Sequence, residues 1–142
     1  RLQEVGTVDG VIYVNDSKAT NVDAAVRALT AYEAGIHLIL GGSGKGFSFD
    51  RLASAATGGK VRQVLLIGAA AAAIAASFER AGRETVTAGD LEEAVRLARE
   101  GAAPGDIVLL SPACASFDQY HDYEERGEHF ISIVRRLEKE RD

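Results

Sequence analysis

Five apolar runs of strand length recur along the chain: Val11–Val14, His37–Leu40, Val64–Ile67, Glu84–Ala88 and Ile107–Leu110. Between them, Val22–Ala31, Leu52–Thr57, Ala69–Ala81 and Leu91–Glu100 repeat their apolar residues every three or four positions, and a charged segment from Glu124 to Glu140 does the same. The first pattern predicts buried strands and the second amphipathic helices. Their alternation predicts crossover connections, and hence strands that run parallel. Leu2–Thr7 precedes the turn residues Val8-Asp9-Gly10, so it is expected to pair with Val11–Val14 as an antiparallel hairpin. The fold expected is α/β: a Rossmann-like, doubly wound, mostly parallel sheet with one antiparallel edge strand and flanking helices.

Sheets of this kind bind ligands beyond the carboxyl ends of their strands, so the strand-to-helix turns are where chemistry is expected. Three of them are rich in polar residues or glycine. Asn15-Asp16-Ser17-Lys18-Ala19-Thr20-Asn21 leads into a helix whose first N–H groups lack intrahelical partners and attract an anion. A simpler reading has Thr20 or Asn21 as the helix cap and Asp16 and Lys18 as solvated charges. Gly41-Gly42-Ser43-Gly44-Lys45-Gly46 suggests a phosphate loop, but Ile39 stands where that motif needs its first glycine and Gly46 where it needs Ser or Thr. It is read instead as a glycine-rich loop offering Lys45 to a carboxylate or phosphate. Ser111 to Gln119 closes the last strand with small residues and hydroxyls, and successive N–H groups near Ser116 and Phe117 could form an anion-holding nest. The turns after Ile67 and Ala88 hold only Gly-Ala and Gly-Asp, and are read as tight connections and helix caps.

Composition narrows the possibilities. The chain has 142 residues, a size that suits one domain spanning positions 1 to 142. A net charge of −5 with scattered Lys and Arg argues against a nucleic-acid surface. The longest apolar stretch, around Val64 to Ala76, is broken by Gly68 and rich in Ala, which makes it a poor membrane span. Arg1-Leu2-Gln3-Glu4 lacks the pattern of a secretory leader, and a single Cys fits a reducing compartment, so a cytoplasmic location is expected. Cys114 has no His in an evident partnering position and is read as core packing. His37, His121 and His129 are scattered, and no ligand spacing for a metal is found.

Taken in order, Asn15 to Asn21, Gly41 to Gly46 and Leu110-Ser111-Pro112-Ala113-Cys114-Ala115-Ser116-Phe117-Asp118-Gln119 resemble the C-terminal domain of the Mur ligases. The last motif, continued by Glu124-Glu125-Arg126-Gly127-Glu128-His129-Phe130, resembles the members that add D-glutamate. The resemblance implies an ATP-dependent ligation of D-glutamate to UDP-N-acetylmuramoyl-L-alanine through an acyl phosphate. It implies a central ATPase domain and an N-terminal UDP-binding domain outside this chain, with ATP and Mg2+ serving the complete enzyme. By the same resemblance, Thr20 and Lys45 hold one carboxylate of D-glutamate, and Ser116 with the backbone of Phe117 and Tyr123 holds the other. Asp16 meets the ATP ribose, Lys18 the nucleotide side, and Arg1 is a further nucleotide contact. No catalytic residue and no metal ligand are expected here, so the domain alone is expected to be inactive. Two alternatives stay open: a stand-alone α/β module that binds a nucleotide or acidic amino acid, and a folylpolyglutamate synthetase-like domain, from which the Ser-Pro-Ala-Cys-Ala-Ser run points away.

Overall fold

The computed structural model describes residues 2–44 and 48–140. The chain enters through a hairpin, β1 (Gln3–Val8) and β2 (Val11–Asn15), paired antiparallel. Its turn is two residues long, with Asp9 at φ 53° and Gly10 at φ 80°, as the right-handed twist of a tight hairpin requires. Val8 was expected in the turn; it closes the ladder opposite Val11 instead.

From there strands and helices alternate: α1 (Val22–Leu29), β3 (Ile36–Gly41), α2 (Asp50–Ala55), β4 (Val61–Ile67), α3 (Ala71–Arg80), β5 (Val86–Gly89), α4 (Leu91–Gly101), β6 (Ile107–Leu110) and α5 (Tyr123–Glu140). The sheet order is β1-β2-β6-β3-β4-β5, with every pair after the hairpin parallel. The expected mostly parallel sheet with one antiparallel edge is therefore present. The last strand in sequence, β6, lies between β2 and β3.

Side chains alternate between the two faces of the central strands. Leu38, Leu40 and Leu109 pack with Ala25, Leu29, Leu52, Ile74 and Phe78, which places α1, α2 and α3 on one face. Ile39, Val108 and Leu110 pack with Leu91, Val95, Phe130 and Val134, which places α4 and α5 on the other. Burial on both faces explains why β3 and β6 read as continuous apolar runs rather than alternating ones. Among the described residues no helix is long and apolar enough to cross a membrane.

At the amino ends of the central strands, a polar cluster is sealed under the sheet. His37 is fully buried, with Nε2 2.8 Å from Asp106 Oδ2 and Nδ1 2.6 Å from Gln63 Oε1. The polar turns lie at the opposite, carboxyl ends.

Candidate functional site

Because β2, β6 and β3 are neighbours, their three polar turns emerge side by side. The loop after β6 is the middle one and is laced to both others. Ala113 N donates to Ala19 O at 2.9 Å on the β2 side, while Gly41 N donates to Pro112 O at 2.9 Å and Ser43 N to Ala115 O at 2.8 Å on the β3 side. Close approach of the backbones dictates the glycines. A Cβ on Gly42, whose φ is 143°, would collide with Ala115 O, and a Cβ on Gly41 with Ile67 O.

Arg126 is the centre of this arrangement, 1% exposed despite its charge. Its Nε donates to Ser17 Oγ and its Nη2 to Ser17 O, each at 2.8 Å, and Ser17 Oγ in turn donates to Tyr123 O at 2.7 Å. The first turn of α5 is thereby locked to the loop after β2. Burial pushes the guanidinium pKa down to about 10, so the group stays charged at neutral pH. Among the described residues, two buried polar atoms here have no hydrogen-bond partner: Arg126 Nη1, near Gly42 and Cys114, and the hydroxyl of Ser116. Buried donors are ordinarily paired, so these two atoms mark where an outside acceptor is wanted.

Side chains from the β6–α5 loop reach outward to the two turns that look plain in sequence. Asp118 Oδ2 accepts from Ala69 N at 2.8 Å, and Gln119 Nε2 donates to Gly89 O at 2.9 Å. The N-terminal end of α3 has no side-chain cap of its own, so the carboxylate of Asp118 serves the chain just ahead of it. After Gly89 the expected cap is present, with Asp90 Oδ1 accepting from Glu93 N at 2.9 Å. Asp122 accepts from Glu125 N and Glu125 returns a carboxylate to His121 N, a reciprocal pair that ends the loop and starts α5.

On the other side of the β2 turn, Leu2, Asp16, Lys18, Ala19, Ala24 and Arg27 contribute to a pocket of about 560 Å³. Asp16 is nearly buried and accepts from Ser111 Oγ at 2.8 Å, which fixes its carboxylate at the pocket wall. An apolar floor with a fixed carboxylate and two cations at its rim fits the sugar and charge of a nucleotide. Among the described residues no three His, Cys, Asp or Glu side chains are grouped as metal ligands.

A sequence model of the family described as "Mur ligase, glutamate ligase domain" matches residues 1–114. The chain belongs to that family. Proteins named UDP-N-acetylmuramoylalanine--D-glutamate ligase are similar to it: that of Koribacter versatilis is 50% identical over 96% of this chain, and that of Symbiobacterium thermophilum 51% identical over 96%. The chain spans about 30% of the length of these curated relatives. Among solved structures, a murein peptide ligase from Psychrobacter arcticus superposes with a TM-score of 0.63 at 14% identity, covering 96% of this chain and 28% of that one. A solved domain from Haemophilus ducreyi, assigned to a UDP-N-acetylmuramate:L-alanyl-gamma-D-glutamyl-diaminopimelate ligase, superposes with a TM-score of 0.62 at 17% identity, covering 96% of both chains. These two share the Mur-ligase domain's fold, and the second has the same extent as this chain.

Of the residues singled out in sequence, Asp16 and Lys18 share the pocket beside α1. Ser116 is buried beyond β6, Phe117 stands 71% exposed next to it, and Tyr123 opens α5, 36% exposed. Thr20 lies on the loop before α1, but the cap is Asn21, whose Oδ1 accepts from Ala24 N at 2.8 Å. Lys45 and Arg1 lie outside the described residues. Cys114 is core, as expected: it is fully buried, and burial pushes its thiol up to about 11. Arg27 and Arg126 escaped the sequence reading. Arg27 looks like any basic residue in a last helical turn. Arg126 had a signal, because it falls on the same helical stripe as Phe130, Ile133 and Val134, where a charge must be buried.

Proposed function

We propose that this chain is the C-terminal, D-glutamate-binding domain of a cytoplasmic ligase that joins D-glutamate to UDP-N-acetylmuramoyl-L-alanine in peptidoglycan synthesis. The observation that carries this reading is the buried Ser116 hydroxyl without a partner, at the carboxyl end of the central strand and beside the Arg126 loop clamp. The names of the relatives at about 50% identity supply the amino acid. D-Glutamate carries two carboxylates, so its site needs donors on two sides while the amine stays free to react.

In this reading Ser116, with the backbone of Phe117 and Tyr123, takes one carboxylate, and Thr20 with Lys45 takes the other. Asp16 and Lys18 meet the ribose and nucleotide side of ATP, with Arg1 a further contact. ATP supplies the phosphoryl group that activates the substrate carboxylate, which the D-glutamate amine then attacks to form the amide and release phosphate. The residues of this chain do no bond-making. They hold the amine in line and exclude water from the activated acyl group. Mg2+, the phosphate loop and the UDP-muramoyl substrate are assigned to the remainder of the ligase.

Two measurements test this. The purified chain mixed with ATP, Mg2+, D-glutamate and the muramoyl substrate is expected to give no product, and turnover would overturn the division of labour. In the ligase that carries this domain, Ser116→Ala and Lys45→Ala are expected to raise the KM for D-glutamate roughly tenfold to a hundredfold, the range for one charge-assisted hydrogen bond, while the KM for ATP stays within about twofold. Equal rises for both substrates would sink the carboxylate assignment.

A further inference from the structure

On the outer side of the β6–α5 loop, a chain of side chains joins the loop to α4 and α5. Tyr120 Oη lies 2.6 Å from His129 Nδ1, and His129 Nε2 lies 3.4 Å from Glu92 Oε2. Arg136 Nη2 completes the series, 3.3 Å from the same carboxylate oxygen. The Tyr120 and His129 rings are 5.7 Å apart at an interplanar angle of 54°.

The partners give the chain a direction. Burial pushes the Tyr120 hydroxyl up to about 12, so it is protonated and donates to Nδ1. Nε2 then carries the ring hydrogen and donates to Glu92, whose carboxyl is held below its usual range by the hydrogen bonds from Arg136 and His129. Every group in the series has a role that its neighbour can meet.

The inner end of the series is tied to the residue proposed as substrate contact through the backbone, because Tyr120 N donates to the Ser116 carbonyl at 2.8 Å. Tyr120 packs partly against the core on its inner side, while open pockets of about 450 and 470 Å³ flank Tyr120 and His129 on the outside. The polar tips of both rings are therefore held by hydrogen bonds. We propose that Tyr120, His129 and Glu92 are positioning residues that set Ser116 and Phe117 for the substrate carboxylate, from outside the site and without touching the ligand. This rests on the reading of Ser116 given under the proposed function, and it adds a distal determinant of amino-acid affinity.

The test is steady-state kinetics on the ligase that carries this domain, varying D-glutamate and ATP separately, with Ser116→Ala as reference. Tyr120→Phe removes one hydroxyl and keeps the ring, so the fold is retained. It is expected to raise the KM for D-glutamate about five- to tenfold, the range for one hydrogen bond, with kcat and the KM for ATP within about twofold. His129→Leu is expected to do the same. The double variant is expected to be no worse than the worse single one, because both break one series. Glu92→Gln, which keeps a carbonyl acceptor for Nε2–H, is expected to recover most of what Glu92→Ala loses. The proposal is overturned if Tyr120→Phe leaves the D-glutamate KM unchanged while Ser116→Ala raises it, if ATP and D-glutamate are affected alike, or if the single effects simply add. Should His129→Leu fail to fold, the substrate split in Tyr120→Phe decides. A Ser116→Ala enzyme with an unchanged D-glutamate KM would instead overturn the reading of the site, and this proposal with it.

Discussion

Arg126 and Ser17 are 109 residues apart in sequence, yet the guanidinium of one grips both the hydroxyl and the carbonyl of the other at 2.8 Å. The contact joins the loop after β2 to α5, and a fork of fixed geometry is what allows two bonds from one side chain. Lysine has the charge without the fork. Arg126→Lys is therefore expected to cost about 2 kcal/mol of stability and Arg126→Ala about 3, measured by urea unfolding. A loss below about 0.5 kcal/mol in both would show that the buried pair is not a clamp.

The carboxylate of Asp118 stands in for the missing cap ahead of α3, and Gly68 makes room for it. Gly68 has φ 75°, and a Cβ there would strike Asp118 Oδ2. Asp118→Ala is expected to cost about 1 kcal/mol, the usual loss for a cap, and Gly68→Ala at least as much, since it adds backbone strain to the collision. Thermal unfolding reads both. If the Gly68→Ala cost persists undiminished in the Asp118→Ala background, the collision is not its cause.

Asp106 links stability to acid. Burial alone would raise its pKa, but the Ala103 N–H, the His37 ring and the Arg62 guanidinium outweigh burial and hold it below the ordinary value. A depressed carboxyl stabilises the fold fully above its unfolded pKa, about 4, and that contribution is lost as pH falls from there through the folded value. Asp106→Asn is expected to flatten the acid limb of the stability–pH curve below about pH 4, in urea titrations run from about pH 2 to 7. A limb unchanged by the substitution would remove Asp106 from the account.

Cys114 should be chemically silent in the folded protein. With its thiol pushed up to about 11 and its sulfur fully buried, the thiolate fraction near pH 8 is on the order of one in a thousand. A disulfide-exchange reagent is expected to label it at least ~100-fold more slowly in the native state than in urea. Rapid native labelling would contradict the core assignment.

How far the sequence reveals this protein depends on which atoms carry each role. The strands β3 and β6 are legible because burial on both faces leaves runs that are apolar at every position but His37, and Asp90 is legible because its cap follows from side-chain chemistry. The turns after Ile67 and Ala88 read as plain because their contribution is made by backbone groups, Ala69 N and Gly89 O, which every residue possesses. Thr20 and Asn21 are both good caps, and periodicity does not choose between them. Arg126 is masked by the charges of Glu124, Glu125 and Glu128 around it, although its place on the Phe130 stripe exposes it to a helical-wheel reading. The central position of β6 is invisible to pattern, because crossover order is a property of the assembled sheet.

That placement of β6 has a consequence for how the protein acquires its function. Without it the sheet falls into two separate ladders, β1–β2 and β3–β4–β5, with no strand pairing between them. The segment that bridges them is also the one that delivers Ser116, and it follows the other five strands off the ribosome. Its insertion is a long-range step of the kind that slows folding. In the proposed reading, the Ser116 contact therefore forms only once this late segment has joined the two ladders.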